Sequence, residues 1–214
     1  MRATRVMVIL LAAGCATELD VKDHSVLFPT LRASKAVGDL WSVNVIADYA
    51  SGSDTATGSV GRPIVIGGQS FPGAVDVDFD LTTVRIEGRA RREISPEWLV
   101  EGFFGVCICE ADVSVSTPSA RASEHQFEAG PHVGGRIGWR PVPRLQVYAE
   151  GYGVCLFPDG IVPDAEAEVG VEFKAAGPVS VLAGWRFRNL ELILEDSDYD
   201  FEWSGLFVGL GFDF

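Results

Sequence analysis

The chain has 214 residues, a formal charge of −13 and a pI near 4.6, which argues against nucleic acid as a partner, because phosphates draw Lys and Arg. Yet 47% of the residues are hydrophobic and the mean hydropathy is +0.19. No stretch approaches the roughly 18 uninterrupted apolar residues of a transmembrane helix, and 24 glycines disfavour helix throughout, so the apolar residues are dispersed.

Residues 1–15 have the layout of a secretory signal. Arg2 and Arg5 precede the apolar run VMVILLAA, and Gly14 and Cys15 follow it. The segment LAAGC resembles the lipobox of bacterial lipoproteins, which implies lipidation at Cys15; Ala12 stands where Leu is usual. Cleavage after Ala16 fits the residues as well, because Gly14 and Ala16 form a small-x-small site. Either route predicts export and leaves the mature chain two charges more acidic.

Residues 16–39 read as an N-terminal tether or a first strand, with the tether at 17–24 and an ambiguous segment at 25–36. From residue 40 to 214 period-two alternation is nearly continuous and helical periodicity nearly absent, so one β domain is expected. TVRIEGRA sets Val84, Ile86 and Ala90 against Arg85, Glu87 and Arg89. WLVEGFFGVCI sets Trp98, Val100, Phe104, Val106 and Ile108 on its more apolar face. FEAGPHVGGRIGW, RLQVYAEGYGV, AEAEVGVEF and VSVLAGWRFR repeat the pattern. Short connections at 93–97, 140–144 and 175–178 alternate with longer polar ones near 51–74, 116–126, 156–164 and 195–200. In an up-and-down sheet, alternate connections lie at opposite ends. One end then carries tight turns and the other longer acidic loops, as in outer-membrane barrels.

Counting back from Phe214 gives about eight strands starting near Trp41. A strand at 25–36 would make nine, an odd number that single-chain bacterial barrels avoid. RPIVIGG at 62–68 offers a tenth strand, so eight is expected, with ten as the alternative.

One face carries Val, Ala, Ile and Phe, with Trp98, Phe127, Trp139, Phe173 and Trp185 near strand ends. The other carries Arg85, Glu87, Arg89, Glu101, Arg136, Glu150, Glu168, Glu172 and Arg186, interleaved with glycine. Aromatic-flanked apolar residues suit a lipid belt, and mixed charges suit a narrow interior. A soluble lipocalin-like barrel alternates too, with its charges in water.

The ending LFVGLGFDF has alternate apolar residues at Leu206, Val208, Leu210, Phe212 and Phe214. It resembles the C-terminal signature of bacterial outer-membrane proteins that the barrel-assembly machinery reads; Phe212 stands where Tyr is frequent. The resemblance covers residues 125–214 well and 75–115 less fully. It implies an antiparallel up-and-down transmembrane β-barrel in the outer membrane, contacting outer-membrane lipid and acting as a monomer. It implies no activity.

The residues offer little catalytic chemistry. His125 falls in or beside a predicted loop, and His132 on the interior face, neither with an obvious nucleophile. Asp196, Asp198 and Asp200 start like a calcium loop but lack its Gly and distal Glu. Cys107, Cys109 and Cys155 read as small apolar filler, too few in ligands for a metal. The expectation is a non-enzymatic protein without cofactor or metal, with a structural or surface-contact role and a closed, charge-filled interior. A narrow channel for small solutes, a lipid-modifying membrane enzyme and a soluble ligand-binding barrel are the alternatives.

Overall fold

The computed structural model describes residues 17–57, 63–156, 162–194 and 197–214. They form an all-β closed barrel. Its strands are β1 (Thr17–Ala36), β2 (Trp41–Thr57), β5 (Ala74–Glu93), β6 (Trp98–Ser116), β7 (Arg121–Val142), β8 (Leu145–Leu156), β9 (Val162–Ala176), β10 (Val179–Leu194) and β11 (Ser197–Asp213). Between β2 and β5, a separate hairpin pairs β3 (Ile64–Ile66) with β4 (Gln69–Phe71). Residues 64–68 of the segment expected to supply a tenth barrel strand thus lie in a hairpin that is not part of the ring.

The ring has nine strands, not eight or ten, and it is not wholly antiparallel. The eight strands from Trp41 onward form the expected meander. The segment read as a tether or a first strand supplies the ninth, which begins at Thr17 and so includes the residues of the expected tether. β1 inserts between the two ends of that meander, antiparallel to β2 and parallel to β11. An odd strand number forces one parallel seam, because alternating directions cannot close on themselves. That seam is long, running from Thr17 opposite Ser197 to Ser34 opposite Asp213. The chain end is held on both sides: Phe214 N–H donates to Ser34 O at 2.9 Å and Asp213 N–H to Pro178 O at 2.8 Å.

Short turns join β1 to β2, β5 to β6, β7 to β8 and β9 to β10 at one end. Gly177, at φ +56°, makes the β9–β10 turn possible without a strained Cβ. At the other end the expected loops are smaller than predicted. Residues 121–126 and 197–200 belong to β7 and β11, so the wall continues where loops were expected.

That extended wall is slit in two places, and a proline bounds each slit. The β1–β2 ladder ends at Thr30 opposite Asp48, next to Pro29. The β7–β8 ladder ends at His132 opposite Val154, next to Pro131. Proline has no N–H to give to a ladder. Each proline keeps its partner on the other side, Val208 for Pro29 and Val106 for Pro131. Beyond the slits β2, β5, β6 and β7 continue as a four-stranded sheet, paired up to Thr57 with Ala74 and Ser116 with Arg121. The β3–β4 hairpin packs inside it, burying Ile64, Ile66 and Phe71. Its tip lies on β7, where Gly67 N–H points to Glu124 Oε2 at 3.5 Å.

Backbone amides of β2 residues 49–57 that point away from β5 should therefore exchange with solvent faster than those of β5 residues 75–81, which are bonded on both sides. Residue-resolved hydrogen exchange checks this; equal protection would mean that the slit is closed in solution.

Candidate functional site

The polarity of the wall inverts along its length. In β5, residues AVDVDFDL bury Val75, Val77, Phe79 and Leu81 inside and expose Asp76, Asp78 and Asp80 outside. Past Thr82 and Thr83 the same alternation carries the opposite chemistry. Thr83, Arg85, Glu87 and Arg89 are buried inside, while Ile86 is 48% exposed outside. β6 changes at the matching level, since Thr83 pairs with Cys109 and Thr82 with Glu110. Phe104 and Val106 are exposed on the short-turn side of that level, and Glu110 and Asp112 on the other.

Beyond the inversion the interior is an ordinary apolar core. Phe79 stacks on Trp203, with ring centroids 4.5 Å apart. Cys109, paired with Thr83 at the inversion, and Cys107, paired with Arg85 on its short-turn side, are both buried. Cys155 lies on β8, and its side chain is outside the described residues, as are residue 196 and the side chains of Asp198 and Asp200. Cys15 and the signal segment also lie outside the described residues.

On the short-turn side the interior is a packed ion-pair network. Asp48 bridges Arg85 and Arg186, each at 2.9 Å. Arg186 also reaches Glu166 at 3.0 Å and Glu168 at 2.7 Å. Arg89 grips Glu150 with two bonds of 2.9 Å, contacts Glu87, and lies 3.4 Å from Glu101. His132 Nε2 meets Glu87 Oε2 at 2.9 Å. Arg136 and Arg32 converge on Glu172 at 3.1 and 2.5 Å. Arg188 donates to Thr83 Oγ1 at 2.8 Å.

All nine residues read from the sequence as inward sit in this network. Eight are buried; Glu101, nearer the mouth, is partly exposed. Arg136 and Glu150 are in register across the β7–β8 turn, but their separation is long, at 3.8 Å. Glu150 belongs chiefly to Arg89, and Arg136 to Glu172. Sequence reasoning missed Arg32 and Asp48, and it left Glu166 and Arg188 out of the inward set although alternation puts them on that face. Glu166 and Arg188 share the alternation phase of Glu168 and Arg186, which was the available signal. Asp48 shares the phase of Asn44 and Ile46 in β2, and Arg32 was lost with its strand.

Interior aromatics support the guanidinium groups. Arg136 lies 3.4 Å from the Tyr148 ring centroid, Arg85 4.3 Å from that of Tyr152, and Arg89 4.4 Å from that of Phe103. A planar cation stacked on a ring keeps its edge donors free for carboxylates. Inward glycines provide the room. A Cβ on Gly184 would lie 2.5 Å from both Phe207 Cε1 and the Gly170 Cα of its cross-strand partner.

His125 is on β7, not in a loop. It faces outward beyond the inversion, with Nδ1 2.9 Å from Asp112 and Nε2 3.8 Å from Glu110. His132 is inside, as its phase implies. The five apolar residues of the C-terminal signature also face outward, and Leu206, Val208 and Leu210 are 45–56% exposed. Comparison with known protein families, with curated proteins and with solved structures finds no match to this chain.

Arg186→Met would leave Glu168 without its ion-pair partner and take one of two arginines from Asp48 and from Glu166, and should cost about 3–5 kcal/mol of stability. Arg140→Ala removes a pair to Glu93 at the exposed mouth and should cost under about 1 kcal/mol. Equilibrium urea unfolding compares the two; equal costs would mean the interior is hydrated and its pairs weak.

Proposed function

We propose that this chain is a bacterial outer-membrane β-barrel with a closed interior and a structural or surface-contact role. The polarity inversion at Thr82 and Thr83 carries the reading. A soluble barrel has reason to keep one polarity along its whole outer face. Here the outer face is apolar for only part of its height, and over that part the interior holds charge.

The dimensions suit a bilayer. On β6 the outward row from Trp98 to Ile108 spans ten residue steps, about 25 Å along the barrel axis at ordinary strand rise and tilt. That is the height of an outer-membrane apolar band. Trp41, Trp98 and Trp139 stand exposed near its short-turn edge, where aromatic girdles lie. Beyond the other edge, β5 continues for eight residue steps from Thr82 to Ala74, about 20 Å of wall with an acidic exterior. On this reading the short turns face the periplasm and the acidic wall stands outside the cell.

The ion-paired lumen favours a plug over a pore, and the reading assigns no catalytic residue. The C-terminal row Leu206, Val208, Leu210, Phe212 and Phe214 serves as the assembly signal, and lipidation of Cys15 remains a separate proposal from the sequence.

Phe104→Arg, inside the belt, should cost about 2–4 kcal/mol in a bilayer, and Asp78→Arg, beyond it, at most about 1 kcal/mol. Unfolding in vesicles measures both, and equal tolerance would contradict the assignment of the belt. In fractionated cells the protein is expected with outer membranes, and purified protein is expected silent in planar bilayers. Recovery wholly as soluble protein, or a large steady conductance, would overturn the respective part of the proposal.

A further inference from the structure

The short-turn mouth of the barrel holds a pocket of about 240 Å³ inside the ring, and its charge is not balanced as the lumen's is. Two guanidinium groups, Arg32 and Arg136, converge on Glu172 at its floor, and Arg136 reaches Glu150 only at 3.8 Å. At its rim Arg91 and Arg140 share Glu93, at 3.2 and 3.0 Å. Lys174 also lines the pocket and has no carboxylate within ion-pair distance among the described residues. Arg136 is 4% exposed, and its Nε finds no acceptor. A buried guanidinium nitrogen left without a partner carries a real penalty.

We infer that this vestibule binds a small anion of the phosphate class. The lining carries six arginine and lysine side chains against four carboxylate side chains, a cationic excess in a chain whose net charge is −13. Arginine forks and a mobile lysine are the donors that phosphate oxygens take. The volume is below that of usual drug-sized sites, so it admits a phosphate or a short phosphomonoester and excludes a polymer. The same chemistry occurs in free phosphate compounds and in lipid headgroups. The position inside the ring, and not on the lipid-facing surface, favours the free compound. The inference rests on the barrel and its mouth, and stands or falls apart from the membrane reading.

The test uses the full chain in phosphatidylcholine nanodiscs and calorimetric titration with inorganic phosphate and glycerol 3-phosphate. Saturable binding that weakens with salt is expected. The double variant Lys174→Gln, Arg140→Gln should lose about tenfold in affinity while keeping the wild-type unfolding midpoint, since both side chains lie at the rim. A second arm replaces a tenth of the lipid with phosphatidic acid. Competition there against the soluble phosphates would support the phosphate class and assign the headgroup as a second source. Absence of saturable binding to either soluble anion, or binding unchanged in the double variant, would overturn the inference.

Discussion

The buried carboxylate of Asp48, held between Arg85 and Arg186, stands for the constraint on which the rest of the barrel depends. Charges removed from water must find opposite charges or cost several kcal/mol each. In this lumen Arg85, Arg89, Arg136 and Arg186 therefore each serve more than one acid or rest on an aromatic ring, and the strands that supply them cannot slip. A one-residue shift would turn every such side chain to the opposite face. The ion pairs thus specify register as well as filling space. The inward glycines belong to the same constraint: Gly184 and Gly170 face each other beneath Phe207 because any larger pair would displace the ring.

The inversion divides one continuous wall into two working parts. On the short-turn side, a charged interior and an apolar exterior suit lipid. On the other side an apolar interior and an acidic exterior suit water, with the β3–β4 hairpin as part of the core. Pro29 and Pro131 fall close to this change. They release the water-side sheet from β1 and β8, leaving a four-stranded unit that rises from a closed base. Full closure is obligatory only where no water can satisfy backbone groups. The β1–β2 ladder ends at the inversion itself, where Asp48 is level with Thr83, and the β7–β8 ladder ends a few residues before it, His132 being level with Gly105.

Much of this was legible in the sequence, and the failures have physical causes. Alternation identified the eight meander strands and the inward charges of β5, β7, β8, β9 and β10. It could not identify β1, whose burial pattern is less regular and which carries Pro29 and three polar residues toward its end. Nothing local announces that a strand will insert as a parallel neighbour of the last one. The wall beyond the belt was read as loops because acidic residues dominate it. The run AVDVDFDL followed by TVRIEGRA contained the answer, in a phase change between two equally regular halves. Individual ion-pair partners were out of reach, because Arg89 and Glu150 meet across the lumen from strands that are not neighbours.

Spin labels placed along β5 test the central claim most directly. Asp78→Cys, Asp80→Cys, Val84→Cys and Ile86→Cys variants, with the native cysteines replaced by serine, are reconstituted in vesicles and compared for collision with oxygen and with a water-soluble nickel chelate. The account predicts oxygen-accessible, nickel-shielded labels at 84 and 86 and the reverse at 78 and 80, with the crossover at Thr82. Nickel access at all four positions would contradict it.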